Sequence, residues 1–265
     1  MEYFFRRSNM KKLLLSLGLA LTLCTVAVNA QSVSAATAEQ AFKTMEAADK
    51  VLAYHGDYSA TVSLLIQKPG EPDESLRFKI FERTDSDLMT MVQLLPEADK
   101  GKGYLRDGDN IWAYDPIGRK FTHTSLKEAV GDSDVNLDDL NQSDTHWRDN
   151  YTVASFEEGM LGKQAVYIIT LEAKTSKPSY ARTTYYIRKD IALVLKQEDY
   201  SGSGRLMRTT LYPKWAKVPA GYVPTQIILR DELNPGETTQ QMISDLTFDR
   251  LPDTIFTKAY LEGLN

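Results

Sequence analysis

The side chains best suited to proton transfer near neutral pH are three histidines, His55, His123 and His146. They lie far apart in the chain, without the spacing of a metal site, and read as isolated residues at strand ends. A nucleophile elbow of the Gly-x-Ser-x-Gly type does not occur. Asp132-Ser133-Asp134-Val135-Asn136 begins like a calcium loop. Leu137 then stands where such a loop needs glycine, and Ser143 where it needs a bidentate glutamate, so the run reads as a solvated acidic loop. Gly101-Lys102-Gly103 lacks the further glycines and the following helix of a phosphate loop. Carboxylates are plentiful, but nothing sets their separation as a glycosidase would require. These residues predict neither an enzyme, a cofactor nor a metal site.

The chemistry the residue types do suggest is apolar. Fourteen tyrosines, nine phenylalanines and three tryptophans accumulate in stretches that alternate apolar and polar, and Met89 and Met91 add soft, adaptable surface. An ordinary β core accounts for any one of them. Taken together, so many strands with so few helices predict an inner apolar face that a ligand or lid must cover, at roughly 25 cal/mol per Å². The candidate lining residues are Val62, Leu64, Phe78, Ile80, Met89, Met91, Trp112 and Tyr114, which alternate on the middle strands. Their assignment depends on strand parity, since a one-residue slip turns a whole set to the other face.

The elements that position them follow from periodicity. Residues 37–54 read as one helix, with Thr37 and Gln40 as a capping box and Ala41, Phe42, Met45, Ala48, Val51 and Leu52 on one face. Strands are expected near residues 58–66, 76–80, 88–95, 103–106, 111–114 and 120–124. Asp107-Gly108-Asp109-Asn110 forms a hairpin turn between the fourth and fifth. Residues 125–150 read as polar and irregular, with a turn or two of helix, and within them the loop 132–144 reads as a lid or docking surface or as a solvated connection. Strands resume near residues 151–156, 165–173, 182–189, 192–200, 204–212, 224–232 and 239–246. Such spacing implies an antiparallel meander in one domain, residues 36–265.

The N-terminus predicts export. Arg6, Arg7, Lys11 and Lys12 precede an uncharged apolar run at residues 13–28, and cleavage is expected after Ala30 or Ala35. The only cysteine, Cys24, follows Leu23, too large a residue for a lipoprotein cleavage box, so a soluble periplasmic product is expected rather than a lipid-anchored one. With residues 1–35 removed no thiol remains, which excludes disulfides and thiolate metal sites. A formal net charge of -5 with no basic cluster makes nucleic acid a poor partner.

Two segments carry a resemblance. Residues 101–116, running Gly-Lys-Gly-Tyr-Leu-Arg-Asp-Gly-Asp-Asn-Ile-Trp-Ala-Tyr-Asp-Pro, resemble the central hairpin of the outer-membrane lipoprotein-sorting protein family, whose members are similar to the periplasmic carrier LolA. Leu251-Pro252-Asp253-Thr254-Ile255-Phe256-Thr257, followed by Tyr260-Leu261-Glu262, resembles that family's C-terminal signature. Ser133-Asp134 with Asp138-Asp139-Leu140 is similar to its Ser-Asp-Phe…Asp-Leu loop, with Val135 in place of Phe. The resemblance implies a mainly β fold, a half-open antiparallel barrel covered by one long N-terminal helix and short helices or loops. It also implies binding of lipoprotein acyl chains or another lipid in an apolar cavity for transfer between membranes. An inner-membrane transporter or release complex and an outer-membrane acceptor would be the partners. An envelope stress sensor or protein-interaction module on the same fold is the alternative, and an envelope enzyme the third.

Overall fold

The computed structural model describes residues 33–140 and 146–264. The expected signal segment lies outside the described residues apart from its last three positions, and Cys24 lies outside them too.

Alternating burial builds thirteen strands. They are β1 (Asp57–Gln67), β2 (Glu74–Arg83), β3 (Leu88–Leu95), β4 (Gly103–Asp107), β5 (Asn110–Asp115), β6 (Lys120–Thr124), β7 (Tyr151–Leu161), β8 (Gln164–Ala173), β9 (Arg182–Arg188), β10 (Val194–Tyr200), β11 (Leu206–Val218), β12 (Gly221–Asp231) and β13 (Thr238–Thr247). All join one sheet in the order β6-β5-β4-β3-β2-β1-β13-β12-β11-β10-β9-β8-β7. Each neighbouring pair is antiparallel, and each is a local hairpin except β1 with β13, which brings the two ends of the strand series together. The sheet is open rather than closed into a barrel. Its free edges, β6 and β7, are consecutive in the chain, so the segment between them must cross from one edge to the other.

That crossing decides which face is inside. Val130, Val135, Leu137 and Leu140 from the crossing segment are buried in one apolar cluster with residues of β1, β2, β3 and β12. The cross-strand pairs Val62–Phe78, Leu64–Leu76 and Ile80–Met91 set the register of its floor. The other half of the inner face is covered by α1 (Ala35–Lys50), whose Ala41, Met45 and Ala48 are buried with Ile169, Leu171 and Ile187 of β8 and β9. Two short helices complete the crossing, α2 (Leu137–Leu140) and α3 (Trp147–Asn150).

α1 begins about a turn earlier than periodicity implies. Its cap is Ser34, whose side chain accepts from the Thr37 amide at 3.2 Å, so Thr37 is inside the helix rather than before it. The helix stops where its end is tied to the β11–β12 hairpin. The Ala53 amide donates to the Tyr222 carbonyl at 2.9 Å, and the Tyr222 amide to the Val51 carbonyl at 2.8 Å. Gly221, at φ +151°, allows that approach, because a Cβ there would lie 2.6 Å from the Val51 oxygen. In protein cleaved after Ala30, which keeps Ser34, Ser34→Ala removes the cap and is expected to lower stability by about 1 kcal/mol, read as a shift of the urea midpoint.

The outer face of β3–β5 is apolar as well, because the C-terminus covers it. Leu261 of α4 (Lys258–Glu262) is fully buried against Val92, Leu105 and Tyr114. Gly103 makes room for it, since a Cβ there would stand 2.8 Å from the Leu261 side chain. Thr90 donates to the Ile255 carbonyl at 2.8 Å, and Arg83 reaches the Leu251 carbonyl at 2.8 Å and Asp253 at 2.6 Å. The hairpin and the C-terminal segment that carry the sequence resemblance are thus two halves of one packing unit.

Candidate ligand cavity

The eight expected lining residues do not share a face. Val62, Leu64, Phe78, Ile80, Met89 and Met91 are together on the inner face, each no more than 3% exposed, beneath the crossing segment. Trp112 and Tyr114 belong to the outer cluster under α4, and the Lys258 ammonium lies 4.2 Å from the centre of the Trp112 ring. The reason is register. Gly103 pairs with Tyr114 and Leu105 with Trp112, which leaves Tyr104, Arg106, Ile111 and Ala113 to point inward.

The crossing segment is therefore a plug rather than a solvated connection. Ser133 donates to the Val130 carbonyl at 2.7 Å and accepts from the Val135 amide at 3.1 Å, which folds residues 130–135 into a tight loop. Val135, where the related loop carries Phe, is fully buried in the main core. Asn136 and Asp139 cap α2 reciprocally: the Asn136 amide donates to Asp139 at 2.9 Å, and the Asp139 amide to the Asn136 side chain at 3.0 Å. Gly131, at φ +64°, packs where a Cβ would lie 2.6 Å from Leu76. Residues 141–145, the end of the expected lid, lie outside the described residues.

An arginine on the far wall holds the plug. Arg208 of β11 donates two bonds to the Asp139 carboxylate, at 2.7 and 2.8 Å, and one to the Asp134 carbonyl at 3.2 Å. Its Nε donates to Asp199 of β10 at 3.1 Å, and Asp199 also accepts from Thr183 and Gln197, both at 2.9 Å. Burial disfavours the guanidinium's charge, but Asp139 and Asp199 outweigh it and hold the group protonated. Burial pushes the Asp199 carboxyl up and Arg208 opposes that rise. A bidentate Arg–carboxylate fork fixes geometry as well as charge.

Asp134, half-buried beside this latch, has its carboxyl pushed up to about 6, by burial first and then by Asp231 and Glu237, against Arg208 and Lys68. A folded-state value above the unfolded value of about 3.9 gives stability that is fully present below about pH 4 and lost as pH rises through about 6. Asp134→Asn is expected to remove that loss. The variant's urea midpoint, relative to wild type, should rise between pH 4 and pH 7.

Between the plug and α1 lies a cavity of about 750 Å³. Its wall comes from α1, β4–β6, the beginning and end of the crossing segment, residues 177–180 and the inner face of β9–β12. Met45, Leu52, Ile111, Leu126, Val194 and Ile227 supply apolar surface. Aromatic rings close much of the rest, with Trp147 5.7 Å from Tyr151 and 5.6 Å from Tyr185, and Tyr212 stacked on Trp215 at 5.9 Å. His123 and His146, remote in sequence, both reach this wall, while His55 does not.

Arg208, Asp199, Asp138 and Asp139 are the wall residues the residue patterns missed as site groups. One signal was readable: Asp199 and Arg208 lie on the neighbouring strands expected near residues 192–200 and 204–212 and form a cross-strand pair of opposite charge. What could not be read is that this pair points inward.

A family model described as "Uncharacterized protein" matches residues 85–263. No protein of curated function matches the chain in sequence. Among solved structures, a LolA superfamily protein from Nitrosomonas europaea is 22% identical, with a TM-score of 0.73 over 83% of this chain and 98% of its own. A DUF1329 family protein from Desulfovibrio piger is 20% identical, with a TM-score of 0.76 over 85% of this chain and 99% of its own. A proposed outer membrane lipoprotein-sorting protein domain from Vibrio parahaemolyticus is 18% identical, with a TM-score of 0.72 over 84% of this chain and 99% of its own.

Proposed function

The chain belongs to the family whose model spans residues 85–263 and has the LolA-like fold, and from that premise we propose that it is a periplasmic carrier of lipoprotein acyl chains or another lipid. The observation that carries this reading is the cavity of about 750 Å³, walled by sheet, α1 and plug and within the range of small-ligand sites. The six inner-face residues under the plug are a second apolar bed. When the plug lifts, Val62, Leu64, Phe78, Ile80, Met89 and Met91 would receive an acyl tail that enters from the cavity, each buried methylene contributing about 0.8 kcal/mol. An inner-membrane release complex would load the carrier and an outer-membrane acceptor would empty it. Among the described residues no helix is long and apolar enough to cross a membrane.

The filled half of the inner face supports a second reading, a sensor or interaction module, in which the plug never moves and the partner is another protein. Amide hydrogen exchange separates the two. Saturating the protein with a fluorescent fatty acid should speed exchange across residues 130–140 if the tail displaces the plug. Binding with unchanged exchange would confine the ligand to the cavity, and failure to bind this or any other amphiphile would favour the second reading.

A further inference from the structure

We propose that the cavity selects amphiphiles whose head carries a positively charged nitrogen, held by the Asp138 carboxylate among aromatic faces; this rests on the carrier reading and names the class of lipid. The interior charges are unequally matched. Arg106 is engaged by Asp87 at 2.9 Å and by the Gly108 carbonyl at 2.9 Å, and Arg208 by Asp139 and Asp199. Neither guanidinium is left over for an anionic head. The remaining cations on the wall, Lys127 and Lys177, are exposed.

Asp138 is the opposite case. It is partly buried on the first turn of α2, and its carboxylate accepts one hydrogen bond, from Ser179 at 3.0 Å. Among the described residues no lysine or arginine bonds it. Burial pushes its carboxyl up and the nearby charge of Asp139 adds to the rise, while the Ser179 hydrogen bond and the charges of Arg106 and Arg208 oppose it without cancelling it. A carboxylate sheltered in this way gains from a cation placed beside it. The rings around it suit the same guest. Burial first, and then the nearby charge of Asp138, holds the Tyr151 phenol protonated, and Tyr151, Trp147 and Tyr185 form one aromatic group. Aromatic faces attract ammonium groups most strongly where water is excluded. Trp215 adds a buried indole N–H on the same wall, without a partner among the described residues, a donor for a carbonyl next to the head.

The test compares dodecyltrimethylammonium, dodecanoate and uncharged dodecyl maltoside, each below its micellar concentration. Binding to the protein purified after export is followed by calorimetry in about 0.15 M salt, which screens the chain's overall negative charge. The cationic probe is expected to bind at least tenfold more tightly than dodecanoate. Asp138→Asn, folded by its near-ultraviolet circular dichroism, should lose most of that preference and keep its affinity for the maltoside. As pH falls from 7 towards 4, the cationic probe should lose its preference over the uncharged maltoside, neither of which titrates there, because the raised Asp138 carboxyl takes up its proton. Dodecanoate binding as tightly as the cation at pH 7, or a preference that survives both Asp138→Asn and acid, would overturn the inference and leave the carrier reading standing. Failure of all three probes to bind would overturn both.

Discussion

Replacing Arg208 with alanine is expected to cost about 3–5 kcal/mol, because it strands buried Asp199 without its cation and releases the plug at once. The size follows from burial: Arg208 is 4% exposed and Asp199 fully buried, so the carboxylate left behind is largely sheltered from water. Arg208→Lys should recover only part of the loss, since an ammonium cannot make the two-pronged bond to Asp139 while reaching Asp199. Urea denaturation measures the stability. Hydrogen exchange measures the plug, and residues 130–140 should lose protection more than the β1–β2 hairpin does. A variant as stable as wild type, with the plug still protected, would show that apolar packing alone holds residues 130–140 in place.

Phe78→Ala is the second large effect, expected to cost about 3–5 kcal/mol, the usual range for emptying a buried phenylalanine site. Phe78 is 2% exposed and lies between Val62 on β1 and the β3 strand, in the same cluster as Val135, Leu137 and Leu140 of the plug. The void cannot close easily, because sheet register fixes one side and Gly131 already brings the plug against Leu76. The same variant probes function. If acyl tails reach the bed beneath the plug, Phe78→Ala should alter the affinity for a fluorescent fatty acid. If tails stay in the open cavity, affinity should be unchanged while stability falls.

Much of the fold was legible. All thirteen strands overlap the segments that alternation marks, because a strand with one face on a core repeats every two residues, though β7 and β11 run on to Leu161 and Val218, past their expected ends at residues 156 and 212. Pairing of neighbours followed from short turns such as the one at Gly108, whose φ of +59° suits a two-residue hairpin connection. The β1–β13 pair, which joins strands some 180 residues apart, left no local trace.

The site was less legible, for three physical reasons. Trp112 and Tyr114 misled because β3–β5 are apolar on both faces, one covered by the plug and the other by α4, so hydrophobicity no longer reports which side is inside. The plug misled because Leu126, Val130, Val135, Leu137 and Leu140 have no helical or strand period. Their burial comes from crossing between two sheet edges, a property of topology. The latch was missed because Arg208 and Asp199 break the rule that strand charges face water, and they do so where a second pair of groups, Asp139 and the Asp134 carbonyl, arrives from a distant loop. The Asp138-Asp139-Leu140 run was singled out by resemblance, and its geometry separates the three residues. Asp138 lines the cavity wall, Asp139 closes the latch and Leu140 packs in the core.

That this interior holds a lipid is tested most directly by native mass spectrometry of the protein purified from its own envelope, with organic extraction of whatever accompanies it. The expected result is a stoichiometric lipid or acylated peptide that leaves on extraction and is taken up again by the emptied protein. Protein that emerges ligand-free and takes up neither a fluorescent fatty acid nor a cationic or uncharged amphiphile would contradict the carrier reading.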